Sequence, residues 1–246
     1  MKKRYDAIFL SPHPDDAVLS AGGMIADLSK QNKRVLIFTI FTKILPAPDA
    51  EAARHYLASC GIDNEKRLTR VRLAEDKVAC QILRCNFLHC GFTDAPFRRR
   101  GNKPLYPTLR SMFFSSIKSD DVNTQTDILH VVDKTISKLL KPDGVLYCPL
   151  GTGGHVDHLI VRASAVALKY KPLCLWDDVP YRWNQYWTEK ARLSLPSPTI
   201  SRTVNVKKQT VKKRRAVQSY QSQQKGLYES GLNDFDFVIE KFYDTT

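Results

Sequence analysis

Asp6-Ala7-Ile8-Phe9-Leu10-Ser11-Pro12-His13-Pro14-Asp15-Asp16 is an apolar run that breaks off into a stiff, acidic turn. Residues 6–11 read as a short buried strand, and Pro12 and Pro14 fix backbone angles around His13. Working outward, further strands are predicted over 34–41 (RVLIFTIF), 86–88 and 144–148 (GVLYC). Helices are predicted over 23–30, 68–83, 127–140 and 156–170. In the third of these Ile128, Val131, Val132, Ile136, Leu139 and Leu140 recur at helical spacing. Short apolar strands alternating with helices define an α/β fold, a mostly parallel sheet flanked by helices on both faces.

At 246 residues the chain is long enough to bury a full core, and one domain spanning 1–246 is expected. Two long connections interrupt the alternation as insertions around 42–66 and 94–126, and such insertions often act as binding loops or lids. The tail holds strand candidates at 203–206 and 235–239 around a basic helical stretch, 207–223. The N-terminus Met1-Lys2-Lys3-Arg4 has the basic start of a signal peptide. The apolar run at 7–10 is too short for its hydrophobic region, and no run is long enough to cross a membrane. A cytoplasmic location is therefore expected. Six cysteines show no CxxC pair and are expected to be reduced and buried. An excess of 38 Lys and Arg over 25 Asp and Glu gives +13, a surface that attracts anions without selecting one.

Two clusters carry the chemistry, each placed where a predicted strand gives way to a helix. Open α/β sheets bind their ligands beyond the carboxyl ends of such strands. The first cluster is the His13–Asp16 turn, in which His13 and Asp16 can converge while Asp15 faces a neighbouring position. The second is Gly151-Thr152-Gly153-Gly154-His155-Val156-Asp157-His158. Together His13, Asp16 and His158 supply two imidazoles and a carboxylate, the open three-ligand set of a catalytic zinc. Asp15 would take a proton from water as general base, and His155, when cationic, would stabilise an oxyanion and protonate the leaving amine. Asp157 fits a partner that orients one of the histidines. Iron or cobalt would accept the same ligands.

With these motifs, HPDD and HVDH, the chain resembles the PIG-L/LmbE-like family of zinc-dependent N-deacetylases. Supporting patches are Arg72-Leu73-Ala74-Glu75-Asp76, Asp94-Ala95-Pro96, Asp178-Val179-Pro180-Tyr181, and Lys213, Ala216, Tyr220, Ser222 and Gln223. The resemblance implies a Rossmann-like fold, one Zn2+ on His13, Asp16 and His158, Asp15 as base and His155 at the oxyanion. It implies removal of an acetyl group from N-acetylglucosamine or a related glycoconjugate, with Arg72 and Asp94 contacting substrate. Two positions depart from the pattern: Ala17 stands where many members carry Glu, and Gly153 where some carry a Tyr that helps at the reacting carbonyl.

Other readings compete. An amidase acting on a larger N-acyl conjugate would use the same water chemistry. A non-catalytic binder of anionic glycan or nucleic acid would explain the charge. Nucleic acid is disfavoured as a partner because aromatic stacking patches are missing, and a mere binder has little use for Asp15 and His155. Arg98-Arg99-Arg100 can meet an anionic substrate, whereas Lys207, Lys208, Lys212, Lys213, Arg214 and Arg215 read mainly as a solvated helix face. Homo-oligomerisation is left open.

Overall fold

In the computed structural model, which describes residues 4–46, 49–113, 116–181, 186, 189–190 and 199–245, the predicted alternation becomes one seven-stranded sheet. The basic N-terminal residues 1–3 and parts of both insertions (47–48 and 114–115) lie outside the described residues. Strands β1 (Tyr5–Ser11), β2 (Val35–Lys43) and β3 (Asn86–Thr93) alternate with helices α1 (Asp16–Lys30), α2 (Glu51–Cys60) and α3 (Glu65–Leu83). A small hairpin of β4 (Arg99–Arg100) and β5 (Lys103–Pro104), with helix α4 (Leu109–Phe113), fills the second insertion. Then follow α5 (Val122–Leu139), β6 (Leu140–Pro149), α6 (Val156–Ala167), β7 (Leu173–Trp176) and β8 (Thr199–Asn205). The chain closes with α7 (Thr210–Gln218), α8 (Gln224–Glu229) and β9 (Ile239–Thr245).

The sheet order is β3-β2-β1-β6-β7-β9-β8. The first five strands in that order run parallel, and β9 and β8 add an antiparallel edge. Side chains alternate across the sheet, and β1 divides its residues between two cores. Ala7 and Phe9 pack with α1, α3 and α7, while Ile8 and Leu10 pack with α5 and α6. Helices therefore cover both faces, which is why β2 is buried along all but its last residue and reads as a continuous apolar run. From β1 the chain winds towards β2 on one side, and β6 lies on the other. That reversal opens a crevice at the carboxyl ends of β1 and β6, where both motif turns emerge.

The tail differs from expectation. Residues 234–237 form a 3-10 turn instead of a strand, and pairing begins only at Ile239. An Asn233 capping box, in which Asp236 answers the Asn233 backbone, holds that turn. The basic stretch is also shorter as a helix than 207–223, with 3-10 turns on either side of α7. The six cysteines are free. Among the described residues no helix is long and apolar enough to cross a membrane.

Candidate metal centre and active site

The turn after β1 is braced from several sides. Phe41 N donates to Pro12 O (2.8 Å), Arg72 Nη2 to Pro14 O (2.8 Å), and Ala17 N to Ser11 Oγ (3.0 Å). These bonds hold Asp15 at φ 115°, a conformation that side chains rarely adopt and that costs about 1–3 kcal/mol. The result splits the two carboxylates: Asp16 turns back to His13, and Asp15 faces the cavity and Arg72.

At the centre, Asp16 Oδ2 lies 3.0 Å from His13 Nδ1 and 3.3 Å from His158 Nε2. Each imidazole is held through its other nitrogen by a buried carboxylate. Asp157 Oδ2 takes His13 Nε2 at 2.9 Å, and Asp178 Oδ1 takes His158 Nδ1 at 2.7 Å. Those carboxylates are anchored in turn. Arg98 Nη1 donates to Asp157 Oδ1 (2.5 Å) while its Nη2 pairs with Asp121 (2.8 Å), and Gly151 N and Thr152 N donate to Asp178 Oδ2 (2.7 and 2.8 Å). Carboxylates that fix the outward nitrogen of a histidine leave the inward one aimed at a metal.

Two groupings of donors lie within reach of one ion: His13, Asp16 and His158, or His13, His155 and Asp157. The second is already committed, since Asp157 serves Arg98 and Ala95 N, and His155 Nδ1 accepts from Asp157 N at 3.2 Å. The first leaves an orphan. His158 Nε2 is buried with no hydrogen-bond partner among the described residues. A divalent cation on His13, Asp16 and His158 would satisfy that atom, and the donor set fits zinc among others. In the chain alone the histidines carry the positive charge. Burial opposes charge on His158, but Asp16 and Asp178 outweigh it and raise its pKa to about 10. Burial likewise opposes charge on His13, and Asp94, Asp157 and Asp16 overcome it.

Asp15 stands beside this cluster and outside both groupings. Burial raises its pKa to about 7, with the Arg72 guanidinium holding it from rising further. Arg72 and Asp94 line the same cavity and face each other at 3.6 Å; Arg72 also donates to Tyr56 OH (2.5 Å). His155 Nδ1 accepts from Asp157 N, and burial holds the His155 pKa well below the usual value, which favours a neutral ring with its proton on Nε2.

The cavity has a volume of about 460 Å³. His55, Tyr56 and Ser59 of α2, Leu109, Met112 and Phe113 of α4, and Leu227 and Glu229 of α8 contribute walls, so both insertions and the tail enclose it. The loop arginines do not reach it. Arg98 is buried behind Asp157, Arg99 donates to Pro46 O, and Arg100 pairs with Asp120 at the surface. Ala17 packs in the core beside β1, away from the cavity lining. The strand-end carboxylate Asp178 was missed as a histidine anchor. Its signal was there, an apolar LCLW strand ending in Asp177-Asp178 at the same sheet edge as both motifs.

Fold and centre together define a class: an α/β protein with a cluster of two histidines and one aspartate, able to hold a metal ion, at the carboxyl ends of its parallel strands. Within it, the chain belongs to the PIG-L family, whose GlcNAc-PI de-N-acetylase model matches residues 8–169. It is 26% identical over 188 residues to a 2'-N-acetylparomamine deacetylase of Streptomyces fradiae, a match that spans 73% of this chain and 58% of that protein. A protein of the same description from Niallia circulans is 24% identical, with 90% and 82% covered. The fold matches the zinc-inhibited form of teicoplanin deacetylase Orf2 with a TM-score of 0.80, 24% identity and 97% of both chains covered.

Proposed function

We propose that the protein is a zinc-dependent hydrolase that removes the N-acetyl group of an amino sugar or related glycoconjugate, releasing acetate and a free amine. The observation that carries this reading is Asp15, a carboxylate outside the ligand set, in the cavity wall, with its pKa raised to about 7. A general base serves best when its pKa lies near the working pH. Family membership and relatives described as N-acetylparomamine deacetylases support the same reaction.

Zinc, when bound by His13, Asp16 and His158, would supply a Lewis acid that makes water nucleophilic near neutral pH. Asp15, steered by Arg72, takes the proton that water gives up as it adds to the amide carbon. His155, neutral and with its proton on Nε2, donates a hydrogen bond toward the charge that gathers on the amide oxygen. The proton held by Asp15 then passes to the amine nitrogen as the C–N bond breaks. Arg72 and Asp94 are assigned to hydroxyls of the sugar. A second reading, hydrolysis of a larger N-acyl group, is favoured by the apolar side of the cavity at Leu109, Met112, Phe113 and Leu227.

The test is to strip the protein with a chelator, restore it with zinc, iron or cobalt, and follow free amine from 2'-N-acetylparomamine, N-acetylglucosaminides and longer N-acyl analogues. Zinc-restored cleavage of the acetyl compounds is expected. Cleavage that continues undiminished after complete metal removal would sink the proposal.

A further inference from the structure

Helix α3 ends in a turn that brings two cysteines together. Arg84 stands at φ 60° and ψ 42°, the left-handed conformation that stops a helix. Cys85 N donates to Cys80 O at 3.0 Å, and Arg84 N donates to Gln81 O at 3.2 Å. This pair of bonds is a Schellman closure, which sets a side chain of the last helical turn against one just beyond the end. An apolar contact ordinarily fills those two positions; here both are thiols. Cys85 Sγ lies 3.7 Å from Cys80 O. The Cys80 thiol is hydrogen-bonded to Cys85, and that bond together with burial raises its pKa and keeps it protonated.

The two thiols differ in access and surroundings. Cys80 is fully buried in the core with Ala79 and Leu83, whereas Cys85 is half-buried just ahead of the edge strand β3. Lys212 of α7 reaches the same turn. Its Nζ lies 3.5 Å from Leu83 O, and its charge feels both Arg84 and Cys85. Partial exposure and cationic neighbours mark the thiols that react, so Cys85 is the one an oxidant meets first. Elsewhere Cys60 faces Gln223 Nε2 at 3.3 Å and Cys174 faces Arg202 Nη2 at 3.6 Å, neither of them a second sulfur. Cys80 and Cys85 stand outside the cavity lining and apart from the histidine cluster.

We propose that Cys80 and Cys85 form an oxidisable dithiol, a modification site at which hydrogen peroxide converts the pair to an internal disulfide. The Cys85 sulfur bonds to one peroxide oxygen, the O–O bond breaks, and the other oxygen leaves as water, carrying the Cys85 proton. Cys85 is then a sulfenic acid. The Cys80 sulfur bonds to the Cys85 sulfur, the S–O bond breaks, and hydroxide departs with the Cys80 proton as a second water. Two thiols and one peroxide become one disulfide and two waters; sulfur is oxidised and peroxide oxygen reduced. Cys80 acts as the resolving thiol. Once bridged, Cys85 is kept from the sulfinic acid, which thiols do not reverse.

The full chain, loaded with zinc and freed of reductant, is treated with a slight excess of hydrogen peroxide, then unfolded and alkylated. Reactive thiols should fall from six to four, with a mass loss of two hydrogens, and dithiothreitol should restore both. Trypsin cuts after Arg84, so the bridge should appear as peptide 78–84 joined to peptide 85–98. Cys90 shares the second peptide, and Cys90→Ser should leave the link in place. In Cys80→Ser no bridge can form, and dimedone should capture Cys85 as its sulfenic acid. Wild type in which all six thiols stay reactive overturns the proposal. So does a Cys85 that gains oxygen while Cys80 remains open to alkylation, or a link that vanishes in Cys90→Ser.

Discussion

Asp15 and Asp16 are neighbours in sequence with opposite fates, and a backbone kink separates them. The turn at φ 115° sends one carboxylate to the histidines and the other to Arg72 and the cavity. Burial then acts on the two differently. Asp16 keeps its charge because burial is outweighed by His158 and His13, whereas Asp15 is pushed up because Arg72 only partly offsets burial. The same logic of anchoring extends to Asp178, whose two oxygens are occupied by His158 Nδ1 and by two backbone N–H groups. Asp178→Asn should weaken zinc binding by about 10- to 100-fold, measured by competition with a chromogenic chelator. An unchanged affinity would mean that His158 needs no fixing. Much of this centre was legible in sequence, because HPDD and HVDH each bring their ligands together along a few residues. Asp178 was marked only as part of a supporting patch, and its bond to His158 was not legible, since only the pairing of β6 with β7 carries it there across 20 residues of chain. Arg98, read from the sequence as able to meet an anionic substrate, is instead taken up by Asp157 and Asp121, which only the fold brings beside it.

Among the elements, the strands that the sequence marks most clearly are the parallel ones, whose double burial demands unbroken apolar runs. The antiparallel edge is harder to read. β8 alternates exposed and half-buried residues, and β9 follows directly on a 3-10 turn whose apolar residues mimic the start of a strand. What joins this edge to the rest is polar. Lys213 on α7 is 1% exposed and pairs with fully buried Glu240 of β9 at 2.8 Å. Glu240 also accepts from Gly23 N and Met24 N in α1, so one carboxylate ties three elements together. Removing one partner leaves a buried charge without its counterion. Lys213→Ala should therefore lower the unfolding free energy by about 3–5 kcal/mol in urea denaturation. A midpoint equal to wild type would show that the other bonds of Glu240 suffice.

For the molecule as a whole, the chain is strongly basic while carboxylates are gathered in the cavity wall. The chain carries +13, yet Asp15, Asp16, Asp94 and Glu229 line the cavity, and the lining cation Arg72 is committed to Asp15 and Asp94. The basic surface favours encounter with anions, but a fixed negative charge set against Asp94 or Glu229, away from the ion site, would meet like charge there. An N-acetylglucosaminide bearing a 6-phosphate should accordingly show lower kcat/KM than the neutral glycoside. A higher value would mean that loop arginines reach the substrate after all. α2, α4 and α8 enclose the cavity, and they come from the two insertions and the tail, the parts of the chain where hydrophobic periodicity says least. Fold class could thus be read from the strands, while the shape of the cavity depends on contacts between distant segments.

The central claim is that His13, Asp16 and His158 hold the ion while Asp15, which holds none of it, moves the proton. Measuring acetate release and bound zinc side by side in wild type and Asp15→Ala tests both halves at once. The account predicts one zinc per chain in each protein and a rate in the variant lower by about 100- to 10,000-fold. Acetate release at the wild-type rate, or loss of zinc together with Asp15, would contradict it.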